Sequence, residues 1–380
     1  MIGAYLHIPF CSHICYYCDF NKVFIEGQPV DEYLHYLRQE MQQRLQADPV
    51  DHLDTLYIGG GTPTALSTAQ LDTLLQSVRD TLPFDQGEFT VEANPNDFLT
   101  MDKLQVLKNY GVNRLSIGVQ SFDDEILKKI GRTHTRADVH QALANVAQAG
   151  FDNVSIDLIF RLPGQDLANF KRSLDEALAL ELPHYATYSL ILEKKTIFYN
   201  QMRQGRLFLP SQDVEADMYD LAIDRLQQAG RQQYEISNFA KPGFQSQHNL
   251  LYWRNEHYYG FGAGAHGYLG RQRYQNNGPL QQYLAPLRAG RLPVFQRRVL
   301  SLSEQIEEEL FLGLRKREGI SPAHFYQKFH VHLTDVYGQT IPELIQAGLM
   351  EQVGERLTLT KKGLFLGNDV FEAFLIDEDL

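Results

Sequence analysis

The sequence predicts an α/β protein built on a parallel sheet, curved into a closed or partial barrel, with a small helical module after it. Three observations carry this. Short apolar, β-branched runs alternate six times with amphipathic helical stretches over residues 1–190. Almost every run ends in glycine or polar residues, as the ligand-binding rim of a parallel barrel does. From about residue 301 the apolar spacing becomes helical, apart from one short hairpin. Periodicity alone leaves a barrel and an open doubly wound sheet both possible.

The strand candidates are Tyr5–Ile8, Thr55–Ile58, Glu88–Glu92, Arg114–Val119, Val154–Ile159 and Tyr185–Leu190. Between the first two, Val30, Tyr33, Leu34, Leu37 and Met41 recur at helical spacing. Between the second and third, Leu71, Leu74, Leu75, Val78 and Leu82 do the same, and Ser67 with Gln70 supplies a capping-box start. Residues 191–300 form a looser extension, richer in Gly, Gln, Asn and aromatics. Its one clear helix, Val214–Ala229, stops at Gly230. Residues 301–380 read as a compact cap with helices Ser303–Lys316, Pro322–Phe329 and Ile341–Ala347. A hairpin of Leu349–Val353 and Leu357–Thr360 turns through Gly354-Glu355-Arg356, and a closing helix starts near Gly363. That order is winged-helix-like.

Charge excludes the usual use of a winged helix. The chain carries 35 basic and 47 acidic residues, net −12, with no basic block. Phosphate-backbone binding needs clustered Lys and Arg, so nucleic acid is not the expected partner and the module reads as a structural cap. No apolar run reaches transmembrane length, and Met-Ile-Gly-Ala-Tyr lacks the basic and apolar regions of a signal peptide. The expectation is a cytoplasmic protein whose membrane contact is at most peripheral.

Cys11, Cys15 and Cys18 are the only cysteines, spaced Cys-x3-Cys-x2-Cys in the loop after the first strand. An odd, clustered count with no partner elsewhere excludes a disulfide framework. A structural zinc site would need a fourth ligand, His13 or His7, and usually draws its ligands as two separated pairs. A cubane iron–sulfur cluster held by three thiolates leaves one iron open to a small molecule.

The other strand ends point the same way. Gly59-Gly60-Gly61-Thr62-Pro63 follows the second strand, where glycines admit close backbone approach to a ligand. Glu92-Ala93-Asn94-Pro95 ends the third, Gln120-Ser121-Phe122 the fourth with Arg132 one helix on, and Asp157 lies near the end of the fifth. Each alone has a structural explanation. On one rim with the cysteine loop they imply a single ligand pocket.

These segments carry a resemblance. Tyr5-x-His7-Ile8-Pro9-Phe10-Cys11, GGGTP at 59–63, VEANP at 91–95, SIGVQSF at 116–122 and IDLIFRLPGQ at 156–165 resemble the oxygen-independent coproporphyrinogen III oxidase-like branch of the radical S-adenosylmethionine (SAM) superfamily. The resemblance runs through essentially the whole chain. It implies a partial, three-quarter (β/α)6 barrel, a [4Fe-4S] cluster on Cys11, Cys15 and Cys18, and SAM on its open iron. The matching SAM pocket is Tyr5, Tyr17, Gly60, Gly61, Thr62, Glu92, Gln120, Arg132 and Asp157. The coproporphyrinogen enzymes carry a further cysteine where this chain has Phe20, and an N-terminal extension where it has four residues before Tyr5. Both departures are those of the haem-chaperone branch, which implies haem, respiratory haemoproteins as acceptors and an electron donor as partners.

His248-Asn249-Leu250-Leu251-Tyr252-Trp253 fits that branch's HNxxYW signature and makes His248 the expected haem contact, with His266 a second candidate. From the residues alone the better reading of His248 is a buried structural histidine beside a core tryptophan, and it is the resemblance that makes it a haem contact. Gly262-x-Gly264-x-x-Gly267 matches a dinucleotide fingerprint by letter, but no strand–turn–helix pattern surrounds it, so it is rejected. The remaining alternatives are a coproporphyrinogen III oxidase and a zinc-bound interaction protein.

Overall fold

A computed structural model describes residues 1–96 and 99–376. Six strands form the core: β1 (Ile2–Ile8), β2 (Thr55–Gly60), β3 (Glu88–Ala93), β4 (Arg114–Gln120), β5 (Asn153–Phe160) and β6 (His184–Ser189). Every neighbouring pair is parallel, and the strands lie in chain order. That order decides between barrel and doubly wound sheet. Right-handed crossovers between successive strands put all connecting helices on one face, so the sheet curls one way, whereas a doubly wound sheet reverses at a switch point. The curl is partial, because both sides continue into further strands.

The outer layer holds the core. Helix α1 (Val30–Ala47) buries Tyr33, Leu34, Leu37 and Met41, and α2 (Thr68–Thr81) buries Leu71, Leu74, Leu75 and Val78. The capping box of Ser67 and Gln70 is formed in both directions. These side chains meet the outward-facing Leu56, Ile58, Phe89, Val91, Leu115 and Ile117 in one continuous cluster.

The extension holds more strand than its composition shows. β7 (His257–Phe261) pairs parallel with β1, and β8 (His266–Leu269), β9 (Gln272–Asn276) and β10 (Val294–Val299) follow it antiparallel. Aromatic residues and glycine hide the alternation of β7, and pairing with β1 alone makes it a strand. On the far side, Asn238–Ala240 adds to β6 antiparallel. The cap contains the expected helices, including Pro322–Phe329, and the hairpin Met350–Val353 with Arg356–Leu359. It also contains Leu333–Tyr337, too short to read by periodicity. Ile236 and Arg317 bond the cap to the extension through Arg315 and Tyr234 backbone carbonyls.

The glycine run at 262–267 is a strand–turn–strand link, with no helix, so its rejection as a dinucleotide site stands. Gly262 has φ of +96°, and a Cβ there would sit 2.5 Å from the His7 carbonyl oxygen and 2.6 Å from the Tyr33 hydroxyl. Gly262→Ala should therefore lower stability by about 2–4 kcal/mol, read as the urea midpoint. Gly290→Ala, at φ +70° in open space, should cost about 1 kcal/mol.

Candidate functional site

The cysteine loop is pinned on three sides. At its base Phe10 and Cys11 pair with Val23 and Phe24, so residues 12–22 form a closed loop. Across the barrel mouth the Tyr16 amide donates to the Ile130 carbonyl and its own carbonyl accepts from the Phe198 amide. On the β7 side Asn21 Nδ2 donates to the carbonyls of Ala263 and Gly278, both at 2.8 Å. Cys11, Cys15 and Cys18 all face one cavity of about 350 Å³ at the C-terminal ends of the strands.

The cavity wall is polar because inward positions alternate along each strand. β3 contributes Glu92 and then Asn94, β4 Arg114, Ser116, Gly118 and Gln120, and β5 Ser155 and Asp157. Glu92 accepts from the Tyr57 hydroxyl at 2.7 Å and the Gly60 amide at 3.0 Å. Gly60 adopts φ of +115°, and a Cβ there would strike the His7 ring. Burial pushes the Glu92 carboxyl up, and burial with the Glu92 charge raises Asp157 to about 7. β4 ends in a bulge that leaves Gln120 at φ +69°, turning its side chain into the cavity.

One hydrogen-bond chain crosses this wall. Arg132 Nη1 donates to Asn94 Oδ1 at 2.8 Å, Asn94 Nδ2 donates to Thr62 Oγ1 at 2.9 Å, and Thr62 Oγ1 donates to Cys11 Sγ at 3.8 Å. Tyr17 bonds the same guanidinium, whose Nε has no partner among the described residues. Burial pushes the Cys11 thiol up to about 11, so it stays protonated until a metal replaces the proton.

Every expected site residue lines this cavity except Tyr5, His248 and His266. Tyr5 acts from behind: its hydroxyl bonds His7 Nδ1 at 3.0 Å, and His7 Nε2 bonds the Asn21 carbonyl at 2.7 Å. His7 is thereby spent and is not a fourth metal ligand. His248 is 1% exposed beneath the barrel, with Nδ1 on Thr55 Oγ1 and Nε2 on the Tyr252 hydroxyl, both 2.9 Å. Burial holds its ring neutral, its pKa lowered to about 3. From the HNxxYW motif it is Asn249 that lines the cavity. His266 is exposed on β8, outside the cavity. Residue-type reasoning also missed Tyr57, Arg114 and Ser116; the period-two polar alternation of the strands was the available signal.

The donor set fits the groups its chemistry implies. Among the described residues no three His, Cys, Asp or Glu side chains gather as a single metal ion requires. A multi-iron cluster is larger and takes its cysteines further apart, and three thiolates leave one iron for another ligand. An Arg132 Nε without a partner among the described residues, two half-buried carboxyls and a glycine turn suit a small zwitterion carrying hydroxyls.

A parallel partial barrel with three cysteines at the mouth of such a cavity defines the radical SAM class. Residues 5–177 match the Radical SAM superfamily and residues 300–366 the HemN C-terminal domain. Heme chaperone HemW of Bacillus subtilis (strain 168) is 49% identical over 377 residues, 99% of both chains. Heme chaperone HemW of Escherichia coli (strain K12) is 33% identical over 382 residues, 99% of this chain and 98% of that one. Among solved structures, coproporphyrinogen III oxidase (HemN) from Escherichia coli superposes with a TM-score of 0.86 at 25% identity, covering 98% of this chain and 90% of that one. The chain belongs to the HemW haem chaperone family within the radical SAM superfamily.

The Asp157 shift gives a pH dependence. Folded, Asp157 keeps its proton up to about pH 7; unfolded, it ionises near pH ~3.9. Unfolding then releases a proton between those limits, so stability falls as pH rises from about 4 to about 7. In the cluster-free protein, Asp157→Asn should be more stable than the parent at pH 8 in urea denaturation. The difference should vanish towards pH 4.

Proposed function

We propose that this protein is a cytoplasmic haem chaperone. It holds a [4Fe-4S] cluster on Cys11, Cys15 and Cys18 and SAM in the cavity beneath, takes up haem, and passes it to haemoproteins of the respiratory chain. The observation that carries this reading is identity with the haem chaperones along the full chain, over a cavity built as described. Among the described residues no helix is long and apolar enough to cross a membrane.

The chain's own residues divide the work. Arg132 meets the SAM carboxylate, the Gly60–Thr62 backbone lies against its amino-acid end, and Glu92 and Asp157 take its ammonium and ribose hydroxyls. Tyr17, Gln120 and Tyr5, the last through His7, hold these groups in place. When bound, a reduced cluster supplies one-electron chemistry, for which an electron donor is required. Phe20, 61% exposed at the cavity mouth, offers apolar surface of the kind a porphyrin face covers.

Haem contact through His248 requires a rearrangement. Nδ1 is oriented by Thr55 as a ligating imidazole usually is by its outer partner, while the Tyr252 hydroxyl occupies Nε2. For the iron to reach Nε2, the Tyr252 hydroxyl would have to leave that nitrogen.

Haem titration of the anaerobically reconstituted protein, followed at the Soret band, tests this. The parent should bind stoichiometrically, His248→Ala at least about tenfold more weakly, and Tyr252→Phe at least as tightly as the parent. An unchanged Soret band in His248→Ala would make His248 a floor residue only. No haem binding by the parent, with its cluster intact, would sink the chaperone reading. The likeness to the Escherichia coli oxidase supports one second reading, coproporphyrinogen III oxidation. Protoporphyrinogen formed from coproporphyrinogen III with SAM and a reductant would establish it; none is expected.

A further inference from the structure

A second cleft lies away from the cysteines. Helix α1 leads into β2, so its last turn sits at the barrel end where strands begin, opposite the cysteine loop. There a cleft of about 470 Å³ is lined by Arg44, Asp48, Arg271, Tyr274 and Arg297, among others.

Arg44 is 1% exposed, its guanidinium 3.9 Å from the centroid of the Tyr274 ring, and its Nε and Nη2 have no hydrogen-bond partner among the described residues. Glu40, one turn earlier, does not supply one. Its carboxyl already accepts from the Gly262 amide, Asn276 Nδ2 and the Tyr283 hydroxyl, and burial pushes it up to about 7. A buried guanidinium with unmade hydrogen bonds is costly unless a ligand completes them. Serving the C-terminal dipole of α1 and stacking on Tyr274 use the charge and one face, but neither uses those N–H groups.

Two more cations face the same space. Arg297 stands directly across from Tyr274 in the β9–β10 register, so their side chains share a face. Arg271 is in the turn between β8 and β9. Both are exposed, and neither forms an ion pair among the described residues. Three guanidiniums thus meet one carboxylate, Asp48, in a chain whose net charge is −12.

We infer that this cleft binds an oxyanion of the phosphate class, with Arg44 as the buried anchor and Arg271 and Arg297 closing over it. Guanidinium forks match pairs of phosphate oxygens, and an excess of two positive charges suits a dianion over a monocarboxylate. The site is independent of haem and SAM.

Calorimetric titration of the reconstituted protein with inorganic phosphate, against chloride at matched ionic strength, tests it. One saturable site with a Kd of about 1 mM or tighter is expected. Arg44→Gln could disturb the core, so the test uses Arg271→Gln with Arg297→Gln, both exposed. That double variant should bind at least about tenfold more weakly while melting in chloride like the parent. Glycerol 3-phosphate, run in parallel, distinguishes the source: tighter binding than phosphate marks a phosphate ester, equal binding the free ion. No saturable phosphate binding by the parent, or equal affinity in the double variant, overturns the inference.

Discussion

Glu92 is half-buried on the cavity wall, and among the described residues two protein groups donate to it: the Tyr57 hydroxyl and the Gly60 amide. Much of the site's geometry hangs on that satisfaction. Holding the Gly60 amide against Glu92 fixes the glycine turn at the end of β2. From that turn the Gly61 and Thr62 amides donate to the carbonyls of Ile8 and Phe10, which sets where the cysteine loop leaves β1. Thr62 then reaches Cys11 Sγ and, through Asn94, Arg132 on the opposite rim. A half-buried carboxyl held by two donors thereby places the thiols, the guanidinium and the open backbone around one space.

The barrel interior is polar where many parallel barrels are packed with branched apolar side chains. Its stability comes from the outer face, where α1 and α2 cover Leu56, Ile58, Phe89 and Val91. The inner face is left free for chemistry, at a cost visible in its titrations. Glu92 and Asp157 are both pushed up because burial penalises both charges, and the Glu92 charge raises Asp157 further. A ligand that brings a positive ammonium and a carboxylate would relieve both those acids and Arg132. Beneath the cavity, Glu88 accepts from Ser246, Gln247 and His248 at the start of the helix 247–253, so the HNxxYW segment forms the floor.

The parallel core was legible from its residues. All six strand candidates are strands, each lengthened by one to three residues at one or both ends or shifted by one, because pairing with neighbours recruits flanking positions such as Ile2 and Gln120. The rim residues were legible too: cysteines, glycines, Glu92, Arg132 and Asp157 are types that chemistry demands and packing does not. Less was legible wherever a residue's meaning lies in its partner. β7 is a strand because β1 offers it an edge. Tyr5 supports the pocket only because His7 stands between them. His248 reads as a ligand in sequence, yet Thr55 and Tyr252, distant or adjacent along the chain, take up both its nitrogens.

By itself the sequence determined the element order, the cysteine triplet and the chemical character of the strand ends, since these follow from local periodicity and residue type. Only the tertiary structure decided which side of each strand meets the cavity, which polar groups satisfy one another, and that Arg44 Nε and Nη2 find no partner among the described residues. Those outcomes depend on contacts between segments as distant as Glu40 and Tyr283, and no local pattern encodes them.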